Sequence, residues 1–293
     1  MPEYPDITVY IEAIERHALN HTLDRITVKN PFLIRTFQPP LEALHRQTLI
    51  GLRRVGKRIA FGFSNGHWLV LHLMIAGRLH WNSRRQALAA FHFDNGTLSL
   101  TEAGSRRQAA VHLFAGEASI AAIDPGGLEI MDASLAQFAE RFTAANHTLK
   151  RALTDPRILS GIGNAYSDEI LHHARLSPVT LTQRLTPEDL ARLFASIHDR
   201  LQYFTALLRR QTGLGFPEKV TAFRPEMAAH GKFKQPCPRC ATPIQRIVHA
   251  ANETNYCPAC QTGGKLLADR ALSRLLGKDW PKSLEEMELR KQA

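Results

Sequence analysis

Apolar residues Ile7, Tyr10, Ile11 and Ile14 recur at helical spacing behind the polar opening MPEYPD, so residues 6 to 18 are predicted to form an amphipathic helix begun by Pro5 and Asp6. Beyond it the period changes. Arg25 to Val28, Leu49 to Arg54, Arg58 to Phe63, Trp68 to His72, Ala89 to Phe93 and Thr97 to Leu100 alternate apolar with polar positions, which predicts a strand-rich sandwich. The turn-rich stretch IDPGGLEIMDAS ends that texture, and a domain boundary is placed after residue 133. Helical periods follow over Leu135 to Thr143, Leu149 to Leu153, Ala165 to His173 and Pro187 to Leu208, the last capped by Thr186. The chain therefore reads as an α+β multidomain protein, with a β-sandwich and its N-terminal helix over residues 1–133 and a helical domain over 134–232.

Between two of these helices lies SGIGNAYSDEILHHARLSP, where Gly161 and Gly163 relax the backbone and the next helix presents unpaired amides. That geometry suits a phosphate. A plain helix-to-helix turn is the commoner explanation of two such glycines, and neither a Walker A motif nor a complete GxGxxG accompanies them.

Charge adds a partner class. The sequence holds 37 Lys plus Arg against 27 Asp plus Glu, a formal +10. Basic pairs recur at Arg53-Arg54, Arg106-Arg107 and Arg209-Arg210, which points to a polyanion or to an ordinary solvated basic surface. No stretch approaches the roughly 20 apolar residues that span a bilayer, and the first residues lack a basic region followed by an apolar run. A cytoplasmic protein without a membrane partner is expected.

The four cysteines all fall in CPRCATPIQRIVHAANETNYCPAC, as Cys237, Cys240, Cys257 and Cys260, with two residues inside each pair and sixteen between the pairs. Two CxxC turns joined by a hairpin present four thiolates to one tetrahedral zinc ion. Two disulfides are the rival arrangement, but bridges within CxxC turns brace little. Four thiolates close the coordination sphere, so this zinc is structural and a zinc hydrolase is disfavoured. The zinc module covers residues 233–262, and a charged tail, 263–293, carries a predicted helix from Lys265 to Leu276.

MPEYPD, GKR at 56–58, SGIGNAYSDEIL at 160–171 and the two CxxC pairs occur together in this order. The combination resembles the Fpg/Nei family of DNA glycosylases, the formamidopyrimidine-DNA glycosylase branch more closely than the endonuclease VIII branch, over roughly residues 2 to 262. The resemblance implies a β-sandwich, a helix-two-turn-helix domain and a zinc finger that clamp damaged DNA, acting as a monomer. It also implies roles. Once Met1 is removed, Pro2 becomes a terminal secondary amine able to attack a sugar carbon. Glu3 is the matching proton carrier, although a first-turn acidic residue also suits a helix dipole. Lys57 matches a lysine near the flipped nucleotide and Asn164 a phosphate-binding asparagine.

Three positions depart from the family pattern. Asp6 stands where glutamate is common, keeping the charge with a shorter reach. Gap filling falls to Met74 and Ile75 in HLMIAG and to Arg106, Arg107 and Gln108 in GSRRQA, with no aromatic wedge; Met74 and Ile75 also fit core positions. Asn252 occupies the place of the zinc-hairpin arginine, bringing a hydrogen bond without a charge, with Lys232, Lys234 or Arg246 nearby. The sequence thus supports a bifunctional glycosylase and abasic-site lyase excising oxidised or ring-opened bases. The departures support two alternatives, a damage-binding protein of the same fold with little turnover or a lyase specialised for abasic or single-stranded DNA. The stretch LLRRQTGLGFPEKVTAFRPEMAAHGKF lies where the family has a base-covering loop, and its glycines permit mobility.

Overall fold

The computed structural model describes residues 1–104, 107–249, 252–268 and 277–292. The chain divides into two compact units, Met1–Gly127 with Gln202–Thr221, and Leu128–Leu201 with Ala222–Ala293.

In the first unit, helix α1 (Tyr4–Ala18) buries Ile7, Tyr10 and Ile14, the stripe that its spacing predicts. Eight antiparallel strands follow: β1 (Thr22–Val28), β2 (Gln47–Val55), β3 (Arg58–Phe63), β4 (His67–His72), β5 (Gly77–Trp81), β6 (Ala89–Phe93), β7 (Gly96–Glu102) and β8 (Ala110–Ala115). Their order is β5-β7-β6-β1-β2-β3-β4-β8. β1 and β2 join only through Thr22 with Thr48 and Leu23 with Gln47. The sheet folds over at that narrow junction into two four-stranded layers. Leu79, Phe91, Leu98 and Leu100 from one layer share a single buried cluster with Leu49, Phe61, Leu69, Leu71 and Leu113 from the other and with the apolar face of α1. At about 25 cal/mol per Å² of buried apolar surface, this cluster is the main stabilising term of the unit.

The second unit contains α2 (Leu135–Thr143), α3 (Leu149–Thr154), α4 (Asn164–Ala174) and the first part of α5 (Pro187–Thr212). Ser134 and Gln137 form a capping box at α2, and Thr186 accepts the Asp189 amide at 3.2 Å at the start of α5. Phe138, Phe142, Leu149, Leu153, Ile170, Leu193 and Ile197 are buried between these helices. Strands β9 (Gln245–His249) and β10 (Asn252–Tyr256) pair as a hairpin, followed by the short α6 (Pro258–Thr262).

In the tail, residues 265–268 are not helical: the Leu266 amide donates to the Lys282 carbonyl and the Leu267 amide to the Tyr256 hydroxyl. The rest of the helix predicted there lies outside the described residues, and a C-terminal helix runs over Leu284–Gln292. Among the described residues no helix is long and apolar enough to cross a membrane.

Candidate active site and nucleic-acid interface

The N-terminal segment is built inward. Pro2 is buried and Glu3 is 2% exposed, because α1 begins one residue later and carries both into the first unit. Glu3 is the N-cap: its amide donates to Asp6 Oδ2 at 3.0 Å, and its carboxylate accepts from the Asp6 amide. This reciprocal box holds a carboxylate at the positive end of the helix. The shorter Asp6 side chain is the one that closes it, so the departure at this position has a structural use.

Lys57 sits in the β2–β3 turn, where Gly56 adopts φ +60°. Burial pulls its ammonium below the usual lysine range, with Glu3 opposing that effect and Arg58 adding to it. Burial likewise lowers the α-amine of Met1, the residue before Pro2, which Glu3 and Asp6 raise and Arg78 and Lys57 lower. The amine, Glu3, Asp6, Lys57 and Arg78 therefore form one electrostatic group. Such an environment favours a neutral nucleophilic nitrogen beside a proton carrier. His72, paired across strands with Arg58, belongs to its margin; burial, Arg58, Lys57 and His112 hold it to about 4, neutral at physiological pH. Sequence reasoning passed over His72 and Arg78, whose signals are the cross-strand position opposite Arg58 and the residue following Gly77.

Met74 and Ile75 form a turn between β4 and β5. Met74 adopts φ +50° and Ile75 is 65% exposed, so the core reading of this pair does not hold for Ile75. Gly77 closes the turn by donating to the Leu73 carbonyl at 2.8 Å. Arg107 and Gln108 are exposed. The Gln108 amide donates to both Glu102 carboxylate oxygens at 2.9 and 3.0 Å, fixing the approach to β8. Arg107 also lines a cleft of about 320 Å³ with Lys29, Asn30, Gln86 and Glu102. Arg106 lies outside the described residues.

The segment after α5 is tied down rather than loose. Arg16 donates to the carbonyls of Gly213 and Gly215 at 3.5 and 3.2 Å. The Phe216 ring meets Tyr10 at 5.8 Å, and Val220 is buried in the first unit's core.

In the second unit, Asn164 opens α4 behind Gly163, after Gly161 at φ +83°. Its Nδ2 donates to the Glu253 carbonyl at 3.0 Å, joining the GIGN turn to the β9–β10 hairpin. Lys150 Nζ donates to the Asn164 carbonyl at 2.7 Å and to Asp168 Oδ1 at 2.6 Å, and Asp168 Oδ2 meets His230 Nδ1 at 2.8 Å. Burial raises Glu169, whose carboxylate accepts the amides of Ala228, Ala229 and His230 at 2.8–2.9 Å. The turn is thereby cross-braced to both chain segments beside the finger.

Asn252 pairs with His249 as the last rung of the hairpin, and its side chain lies outside the described residues. Of the neighbouring cations, Arg246 is engaged: it pairs with Glu253 at 3.1 Å and lies 4.3 Å over the Phe233 ring.

The four cysteine sulfurs lie within 4.8 Å of one another, with contacts of 3.4–4.0 Å. A tetrahedron with Zn–S near 2.3 Å has sulfur edges of about 3.8 Å, whereas a disulfide requires about 2 Å. The cluster fits a structural zinc, and all four cysteines are free of disulfides. His172 Nε2 lies 3.2 Å from Cys237 Sγ and supports that sulfur from α4.

Three family models match in chain order: the formamidopyrimidine-DNA glycosylase N-terminal domain over residues 1–111, its H2TH domain over 124–215, and the zinc finger found in FPG and IleRS over 234–263. They define a multidomain, zinc-containing glycosylase class. An uncharacterized formamidopyrimidine-DNA glycosylase-like protein of Mycobacterium tuberculosis is 36% identical over 150 residues, 51% of this chain and 93% of that protein. The formamidopyrimidine-DNA glycosylase of Mycoplasma genitalium is 27% identical over 89% of this chain and 96% of its own. Among solved structures, the MutM (Fpg) protein from Thermus thermophilus superposes with a TM-score of 0.76 at 25% identity, covering 89% of this chain and 98% of that one. The LlFpg protein in a complex with a THF-DNA and an inhibitor gives 0.79 at 25% identity, covering 89% and 100%. The chain belongs to the Fpg family of DNA glycosylases.

Proposed function

We propose that the protein is a bifunctional DNA glycosylase and abasic-site lyase that removes oxidised or ring-opened bases in base excision repair. The observation that carries this reading is the burial of the terminal segment beside Glu3 and Lys57, in surroundings that lower a terminal amine. After removal of Met1, the Pro2 nitrogen attacks C1′ of the damaged nucleotide and the bond to the base breaks. Glu3 supplies the proton that opens the sugar ring or neutralises the leaving base. The nitrogen lone pair then forms a C1′ iminium, which acidifies C2′. Loss of a C2′ proton expels the 3′ phosphate and cuts the strand. Lys57 and Asn164 hold backbone phosphates, Met74 with Arg107 and Gln108 occupies the gap left by the flipped nucleotide, and Asn252 donates a neutral hydrogen bond from the hairpin. A protein with this task works in the cytoplasm on nucleoid DNA.

A second reading, a binding protein or a specialist for abasic or single-stranded DNA, is favoured by the lack of an aromatic beside Arg107 and Gln108 in the sequence and by the engagement of Arg246 with Glu253.

Borohydride trapping on oligonucleotides carrying an oxidised purine, a ring-opened purine, an oxidised pyrimidine or an abasic site, with mass spectrometry of the adduct, separates these readings. A Pro2 adduct with a base lesion, lost in Pro2→Gly and slowed in Glu3→Gln, supports the glycosylase-lyase. Adducts with abasic DNA alone support the lyase specialist. No adduct from processed protein supports the binding protein.

A further inference from the structure

Arg78 on β5 is used by none of the steps above, yet its side chain makes three short hydrogen bonds to main-chain carbonyls. Nε donates to Val220 at 2.6 Å, and Nη1 donates to Gly77 at 2.7 Å and to Ile75 at 3.1 Å. Two of these acceptors belong to the Leu73–Gly77 turn that presents Met74 and Ile75. The third terminates the segment that Arg16 and Phe216 hold at its other end. These two segments are far apart in the chain, with 142 positions between Arg78 and Val220, and they meet at one guanidinium.

Each side has its own hold, the Gly77 amide on the Leu73 carbonyl in the turn and Arg16, Phe216 and Val220 in the other segment, and Arg78 is a contact that joins the two. The turn keeps Met74 in the left-handed region, which is strained for a non-glycine residue, and leaves Ile75 in solvent. The 213–220 segment contains no regular element after α5. A planar fork with several N–H groups in fixed directions can satisfy carbonyls from two segments together, which an ammonium cannot reproduce. Arg78 is also close enough to the terminal amine to bear on its charge.

We propose that Arg78 is a positioning residue that locks the Met74–Ile75 turn and the 213–220 segment into one body, so that the gap-filling turn and the loop beside the reaction pocket adopt their working positions together. This deepens the proposed function and rests on it for the meaning of the two segments. The clamp itself is a property of the fold and can be measured without catalysis.

The experiment compares full-length wild type, Arg78→Ala and Arg78→Lys. Hydrogen exchange of backbone amides should accelerate at least tenfold in Arg78→Ala over both 73–77 and 213–220, with Arg78→Lys between it and wild type and the β3–β4 amides unaltered. On duplexes with a trapped base lesion, the single-turnover excision rate should fall at least tenfold relative to trapping on an abasic site, with the loss falling on that rate rather than on Kd. Acceleration confined to one segment, or none, overturns the clamp. An excision-to-abasic ratio equal to that of wild type overturns its positioning role. A wild type that forms no adduct at all refutes the catalytic reading, and the exchange data still decide the clamp.

Discussion

The Glu3 amide and the Asp6 carboxylate are 3.0 Å apart, which makes the residue assigned to proton transfer also the residue that begins the first helix. Removing Asp6 should therefore disturb both stability and chemistry. Asp6→Ala is expected to cost about 1 kcal/mol, the usual value of a lost cap, read from urea denaturation, and to slow adduct formation. Asp6→Asn, which keeps an acceptor, should recover most of the stability.

Gly77 admits no side chain. A Cβ there would stand 2.2 Å from the Leu73 carbonyl oxygen, backbone that cannot swing away. Gly77→Ala should destabilise the first unit by about 2 kcal/mol or more, since the turn must open to relieve the overlap. A thermal midpoint equal to that of wild type would contradict this.

The low pKa of His72, about 4, sets a pH dependence whose sign is fixed. Between pH 6.5 and 4 the unfolded chain binds a proton that the folded chain refuses. The stabilising contribution is complete above pH 6.5 and is lost as the pH falls toward 4. Every tenfold loss of proton affinity on folding is worth about 1.4 kcal/mol, and residual solvent contact reduces this. His72→Gln should flatten the wild-type decline in that window by about 1–2 kcal/mol in denaturation experiments at stepped pH.

Asn164 should act through orientation as well as through its proposed phosphate contact. Its Nδ2 donates to the Glu253 carbonyl, so Asn164→Asp sets a carboxylate oxygen against a carbonyl oxygen. Exchange of the β9–β10 amides should quicken in that variant, and DNA affinity should fall more than in Asn164→Ala.

Metal analysis should return one zinc per chain. Cys237→Ser should release it and loosen β9 and β10, with weaker DNA binding; full affinity in a metal-free protein would refute the structural role. The prediction follows from four sulfurs packed at ligand distances with His172 behind Cys237.

What the sequence revealed depended on how local the determining forces were. α1, β3, α2 and the four-cysteine module were readable because period, caps and paired thiols act over a few residues. β5 and β8 were not predicted. Within GRLHW, Leu79 is flanked by Arg78 and by His80, which is buried because Thr101 pairs with it from β7 at 2.9 Å. β8 is a short run after a basic turn, set in place by β4 and by the Glu102 carboxylate holding the amides before it. For the proposed site, Pro2, Glu3 and Lys57 come from motif, whereas Arg78 was invisible because its partners, Ile75 and Val220, are carbonyls of distant segments that carry no side-chain signal.

Cys240 stands exposed among the four zinc-binding thiols. Oxidants attack accessible thiolates, and the same agents create the oxidised bases proposed as this protein's substrates. The four thiols are thus unequally shielded, with Cys237 and Cys257 buried and Cys240 open to solvent, so a thiol reagent meets the finger first at Cys240.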